Sequence, residues 1–164
     1  MDIVEKKIMT LCLIQQDGQI LLGLKKRGFG EGRWNGFGGK IKSDETITEA
    51  AIRELKEEAN LEVTALEEVG NLIFHNTGGL IVEMHIFRVD KFMGEPVETE
   101  EMLPQWFDAD KIPFDTMWED DRHWLPLFLA GKKFEGEFFF GENDHIIDFH
   151  VNEVVPKPKI SVEG

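Results

Sequence analysis

The sequence predicts an α+β fold, a β-sheet with helices packed on its faces. Three observations carry this. Seven short β-prone runs are interrupted by only two helical segments along 164 residues. A chain of this length buries roughly two-thirds of its unfolded surface, so it needs neither disulfides nor a structural metal to fold alone. No repeat, low-complexity tract or Ser/Gly-rich linker divides it. Residues 1–155 are therefore expected to form a single domain, with 156–164, PKPKISVEG, as a poorly ordered tail.

From the N-terminus, residues 7–14 and 19–24 read as a hairpin turned by Asp17 and Gly18, since Asp-Gly suits the left-handed positions of a tight turn. A connection rich in glycine follows over residues 28–39, where Phe29, Trp34 and Phe37 interleave with Gly28, Gly30, Gly32, Gly36, Gly38 and Gly39. So many glycines suit backbone brought close to a ligand, or else a flexible surface loop. A helix is expected to start at Thr46, because Thr46 and Glu49 fit a capping box and Ile47, Ala51 and Leu55 recur at helical spacing. Asn60 should close it, being the second choice after Gly for a left-handed stop. Residues 66–75 and 80–89 form a second hairpin around Asn76 to Gly79, and residues 103–107 a short strand. A helix over 120–130 has acids in its first turn and lysines beyond its end, and strands over 134–140 and 146–151 complete the sheet.

Composition excludes several function classes. Cys12 is the only cysteine, which forbids an intrachain bridge; in the apolar run Leu11, Cys12, Leu13, Ile14 it reads as a buried, inert thiol. No stretch approaches the ~20 apolar residues of a membrane span, and MDIVEKK lacks a signal peptide's apolar core, so a soluble cytoplasmic protein without a membrane partner is expected. A net charge of −14 opposes binding to a nucleic acid polymer. The charge is uneven, however: Lys25, Lys26, Arg27, Arg33, Lys40 and Lys42 face only Glu31 within residues 25–42. Such an island suits one small polyanion, or is a solvated basic loop.

Chemistry concentrates on the first helix. Glu54, Glu57 and Glu58 stand at i, i+3 and i+4 and share one face. They form either a solvated polar face or a site for a hard divalent cation, since Mg²⁺ takes oxygen ligands and shares carboxylates with substrate phosphates. Arg53, one turn before Glu57, is placed to orient a carboxylate.

The fixed positions Gly39, Glu45, Arg53, Glu54, Leu55, Glu57, Glu58 and Leu61, at their spacing, resemble the signature box of the Nudix family. Asn60 departs from it, standing where the family carries a second glycine; Asn tolerates the left-handed conformation, so no ligand is lost. The resemblance implies an α/β/α sandwich with a mixed β-sheet between helices, and Mg²⁺- or Mn²⁺-dependent hydrolysis of a nucleoside diphosphate linked to another group. It implies Glu54, Glu57, Glu58, Glu101 and the Gly38 carbonyl as metal ligands, with Arg53 orienting the carboxylates. Either Glu100 or Glu101 fits the distal position, and Glu101 is the expected one. Lys25 and Lys40 are expected to meet the phosphates, and Phe37, Gly38 and Gly39 to line the substrate.

The likeness extends over about residues 8–154. LLGLKKRGFGEGRWNGFGGK and MWEDD are similar to stretches of the Nudix members that act on oxidised purine nucleoside triphosphates. The matching positions imply a base pocket of Thr10, Phe29, Asn35, Phe74, Trp118, Asp120 and Asp121, with Phe140 also matching. Asn35 offers a donor and an acceptor, Trp118 a stacking face, and two adjacent buried Asp residues should share a proton. Asn76 and Val82 stand where the family pattern suggests an aromatic residue and Met. The expectation is therefore a monomeric enzyme taking a small purine nucleoside triphosphate such as 8-oxo-dGTP, 2-hydroxy-dATP or O6-methyl-dGTP to monophosphate and pyrophosphate. The alternatives are a Nudix enzyme for dinucleoside polyphosphates or nucleotide sugars, and a non-catalytic nucleotide-binding module.

Overall fold

Alternation along the first strand, β1 (Glu5–Gln16), sends Leu11 and Leu13 to one side and Cys12 and Ile14 to the other, and each pair enters a different apolar core. The computed structural model describes residues 4–155; the expected tail, 156–164, lies outside them. Its sheet contains β2 (Gln19–Lys25), β3 (Trp34–Asn35), β4 (Glu62–His75), β5 (Leu80–Met93), β6 (Met102–Asp108), β7 (Phe134–Phe140) and β8 (Ile146–Glu153) besides β1. The order is β3-β2-β1-β5-β4-β7-β8, and β6 lies along β2. Two pairs, β1 with β5 and β4 with β7, are parallel and the others antiparallel, so the sheet is mixed.

One helix covers each face. α1 (Ile47–Ala59) buries Ala51, Leu55 and Ala59 against Cys12, Ile14, Phe87 and Val89. α2 (Asp121–Leu129) buries Trp124, Leu125 and Phe128 against Leu11, Leu13, Leu72 and Ile86. The α/β/α sandwich follows from this arrangement. Both ends of α1 obey local rules: Thr46 and Glu49 exchange side-chain to backbone bonds at the start, and Asn60 closes the helix at φ 60° with its N–H on the Lys56 carbonyl. Asp17 and Gly18 take the left-handed values of a tight hairpin, φ 52° and 76°.

Three features differ from the sequence expectation. The glycine-rich connection contains β3, and residues 37 and 40 also bridge to β1 at Cys12 and Met9. β4 begins at Glu62 and β5 continues to Met93, because register shifts between Val63 and Ala65, Ala65 and Leu66, and Glu68 and Gly70 interrupt the alternation that marks a strand in sequence. The second helix begins at Asp121, and Asp120 does not cap it with its side chain.

On the α1 side of the sheet, buried His85 of β5 sits between two carboxylates, Nδ1 facing Glu68 and Nε2 at 2.8 Å from Glu83, which Lys6 also approaches at 3.5 Å. Burial alone would lower the imidazole, but its bonds to Glu68 and Glu83 together outweigh that effect and raise it above the ordinary 6.5. A raised folded-state value gives stability that is complete below pH 6.5 and lost as pH rises through the folded value. Urea unfolding across this range should therefore show a decline from pH 6.5 upward that is flattened in His85→Gln. Parallel curves for the two proteins would remove His85 as the source.

Candidate active site

Helical spacing lines Glu54, Glu57 and Glu58 along α1, and Arg53 ties them to the preceding loop. Its Nη1 donates to Glu54 (2.8 Å) and Glu57 (3.2 Å), while Nε and Nη2 donate to Glu45 (2.9 and 2.6 Å) and Nη2 also to the Lys40 carbonyl (3.3 Å). The hydrogen bond from Arg53 pulls Glu45 down to about 2. Glu58 is different. It is 4% exposed, accepts the Gly38 N–H at 2.7 Å, and is pushed up to about 8 by burial and then by the neighbouring charge of Glu54. The same two carboxylates and, above all, burial hold the Cys12 thiol up to about 12, so this cysteine is inert.

The loop is built to approach closely. A Cβ on Gly38 would lie 1.8 Å from the Thr10 carbonyl oxygen, and one on Gly39 would lie 2.6 Å from Glu54 Oε1. Gly38 therefore needs glycine for space, whereas a methyl at Gly39 would displace the Glu54 carboxylate. Backbone bonds from Thr10 N–H to Gly39 O (2.9 Å) and between Cys12 and Phe37 fix the loop against β1. Across from α1, Glu101 receives Arg27 (2.9 Å) and Lys25 (3.3 Å), with Arg27 first in holding it below the ordinary carboxylate range. Of the two adjacent acids, Glu101 is the one whose charge reaches Glu58, whereas Glu100 projects into solvent with Arg27 at 3.6 Å. The Lys40 side chain is exposed.

These groups suit a hard divalent cation. Among the described residues no three His, Cys, Asp or Glu side chains already converge as a chelating cage. Mg²⁺ requires none, since it keeps waters and shares one or two carboxylates with phosphates. The observation in favour is the buried Glu58 carboxyl, raised by burial and by Glu54, which a cation would relieve.

A second cluster forms on the α2 side. Asp120 and Asp121 are buried, and Asp120 Oδ2 accepts the Trp124 indole N–H at 2.9 Å. Burial raises both carboxyls above their ordinary value, and for Asp121 the charge of Asp120 adds to it. Asp121 Oδ2 is buried without a hydrogen-bond partner among the described residues. Trp118 precedes the pair, stacked with Phe29 (5.0 Å between centroids). Phe74 packs against Phe138 and Phe140. Asn35 Oδ1 is used by the Gly36 N–H (2.8 Å). Val82 pairs with Phe74 across β4 and β5, while Asn76 holds the hairpin turn through the Leu80 carbonyl.

Two expected pocket residues sit differently. Phe37 is fully buried in the α1-side core with both backbone groups bonded to Cys12, so it supports the loop from beneath and is no wall of a pocket. Thr10 is buried, and alternation with Leu11 turns its side chain to the α1 side, 3.5 Å from the Gly39 carbonyl, away from Trp118 and the Asp pair. Arg27 and Arg33 were visible in sequence only as members of the basic island. Their contacts with Glu101 and Trp118 depend on long-range pairing. A cavity of about 670 Å³ beside Gln16, Asp90 and Trp106 is lined by none of these groups.

The NUDIX domain description matches residues 6–128. The chain belongs to the Nudix hydrolase family. It is 52% identical over 149 residues to the oxidized purine nucleoside triphosphate hydrolase of Danio rerio, covering 90% of this chain and 96% of that protein. The protein of the same name from Mus musculus is 49% identical with the same coverage. Among solved structures, a MutT protein from Bacillus halodurans superposes with a TM-score of 0.79 at 22% identity, covering 89% of this chain and 97% of that one, and supports the fold. Nudix hydrolases generally use a divalent metal, and no helix among the described residues is long and apolar enough to cross a membrane.

The glycine contacts separate two effects. Gly39→Ala meets only the end of the Glu54 side chain, so it should lower divalent-cation affinity about tenfold or more with little loss of stability. Gly38→Ala meets backbone and should lose about 2 kcal/mol or more of stability. Cation titration by calorimetry and urea unfolding distinguish them, and equal stability losses would contradict the contact assignment.

Proposed function

We propose that this Nudix hydrolase converts oxidised or otherwise modified purine nucleoside triphosphates to monophosphate and pyrophosphate with Mg²⁺, as a cytoplasmic monomer that acts on free nucleotides and leaves nucleic acid polymers alone. The unpartnered Oδ2 of Asp121, buried beside Asp120 and close in sequence to Trp118, is the observation that carries the purine assignment. Buried polar atoms are almost always satisfied, so an orphan of this kind calls for a ligand. The printed names of the zebrafish and mouse relatives agree with that reading.

In this reading Trp118 stacks on the base, and Asp120 and Asp121 pair with its edge, one carboxyl donating its retained proton and the other accepting. Two different oxidised purines can then be read by moving that proton. Lys25 and Lys40 meet the triphosphate, and Arg53 keeps Glu54 and Glu57 aimed at the cation. Gly38 contributes its carbonyl, and Glu101 stands opposite α1, held by Arg27 and Lys25. When bound, the cation neutralises charge developing on the phosphate oxygens. Glu57, the most exposed of the three helix carboxylates, keeps one oxygen on Arg53 and offers the other to position the attacking water.

The deciding experiment is product-resolved chromatography with Mg²⁺ and 8-oxo-dGTP, 2-hydroxy-dATP, O6-methyl-dGTP, dGTP and a diadenosine polyphosphate in parallel. Modified purines should go to monophosphate much faster than dGTP. Turnover confined to dGTP or the dinucleotide would overturn the purine assignment.

Glu57→Gln should reduce kcat by about a hundredfold or more while 8-oxo-dGMP still binds; a near-parental rate would exclude Glu57 from the mechanism. Burial and the neighbouring charge of Asp120 raise the carboxyl of Asp121 and favour its protonated form, which is lost as pH rises. Affinity for 8-oxo-dGMP should accordingly fall toward alkaline pH, and Asp121→Asn, which keeps a donor, should remove that dependence. A pH-independent Kd for the unaltered protein would show that Asp121 donates no proton to the base.

A further inference from the structure

Trp118 lies between a short 3-10 turn at residues 114–116 and α2, so no regular element fixes its side chain. The fixing comes from the glycine loop. The Arg33 guanidinium carbon sits 3.9 Å above the indole centroid, a cation-π distance. Its ion pair is long by comparison: Asp144, in the turn between β7 and β8, is 3.9 Å away. Both charged ends are partly exposed, so that pair contributes little.

The two loop residues that touch Trp118 differ in how firmly they are held. Lys25 N–H bonds to the Arg33 carbonyl (3.0 Å), Gly32 N–H to the Lys25 carbonyl (2.9 Å) and Arg33 N–H to the Gly30 carbonyl (3.0 Å), closing the loop at its neck. The next residue, Trp34, pairs with Leu24 of β2. Arg33 is thus carried on the sheet. Phe29 rides at the tip, 83% exposed, between Gly28 and Gly30, which take φ 78° and 85°.

We infer that Arg33 is a positioning residue for purine recognition: from the closed neck of the loop its guanidinium sets the plane of the Trp118 indole, and it does not contact the phosphates. This rests on the proposed stacking of the purine on Trp118. The indole fixes the plane of the base while Asp120 and Asp121 read its edge. A tilted indole would misalign those hydrogen bonds without any change in the bonding groups. Membership of the basic island suggests a phosphate contact, yet Lys25 reaches Glu101 and the Lys40 backbone meets Arg53 on the carboxylate side, whereas Arg33 faces Trp118.

The test measures Kd in EDTA for 8-oxo-deoxyguanosine, which has no phosphate, and for 8-oxo-dGMP, with the unaltered chain, Arg33→Gln and Arg33→Lys. Arg33→Gln should weaken both ligands equally, by about threefold to fivefold, and Arg33→Lys should recover most of the loss because it keeps the cation. A loss confined to the monophosphate would make Arg33 a phosphate ligand and overturn the inference. So would unchanged affinities, or equal losses in the Gln and Lys variants, which would mark a purely structural role. Failure of the unaltered chain to bind either ligand would instead overturn the purine reading, and the inference with it.

Discussion

The contact on which the site depends is the approach of residues 36–40 to β1. Gly38 lies so close to the Thr10 carbonyl that a methyl group cannot be added, and the bridges at Met9 and Cys12 hold the segment there. This brings the Gly38 N–H to Glu58 and the backbone of Gly39 to Glu54, so the loop and α1 define each other's position. The core beneath serves the same contact. Phe37 fills the space under the loop, Cys12 donates to the Ala51 carbonyl at 3.6 Å, and Ala51 and Leu55 pack α1 onto the sheet. Small residues at this junction let the helix carry its carboxylates near backbone, where bulkier ones would hold it away.

Close packing of like charges has an electrostatic cost, and the structure distributes it unevenly. Arg53 balances Glu45, Glu54 and Glu57, whereas Glu58 is buried with only one hydrogen bond and is raised accordingly. The Asp120–Asp121 pair repeats the pattern on the opposite face, where Asp120 takes the Trp124 indole N–H and burial raises both carboxyls. In both places the described residues leave acid groups incompletely satisfied. Such unmet demand is tolerated at functional sites because a ligand supplies the missing partner.

How much of this was legible in the sequence depended on how local each signal is. The capping box at Thr46 and Glu49, the left-handed Asn60 and the Asp17-Gly18 turn are encoded within a few residues, and the structure reproduces them. The i, i+3, i+4 spacing of the carboxylates also needs only the helix. β3 was invisible because its two residues become a strand solely by pairing with Gly23 and Leu24. The early start of β4 was masked by bulges. Motif position points Thr10 and Phe37 to the pocket, but the face a strand residue occupies is set by register against its neighbours. The contact of Arg33 with Trp118 is equally hidden from the sequence, the two lying 85 positions apart.

The two halves of the site lie on opposite faces of the sheet, and one segment serves both. Its start, residues 29–33, encloses Trp118; its end, residues 38–39, meets Glu58 and Glu54. Between them Trp34 and Asn35 anchor it to β2. On the proposed reading, this division keeps the residues that choose the base apart from those that hold the cation. Val82 lies across from Phe74, and Asn76 is committed to its turn. On the proposed purine reading, the short side chain at Val82 leaves room for a base beside the Phe74 stack, while Arg53 holds the carboxylates on the other face of the sheet.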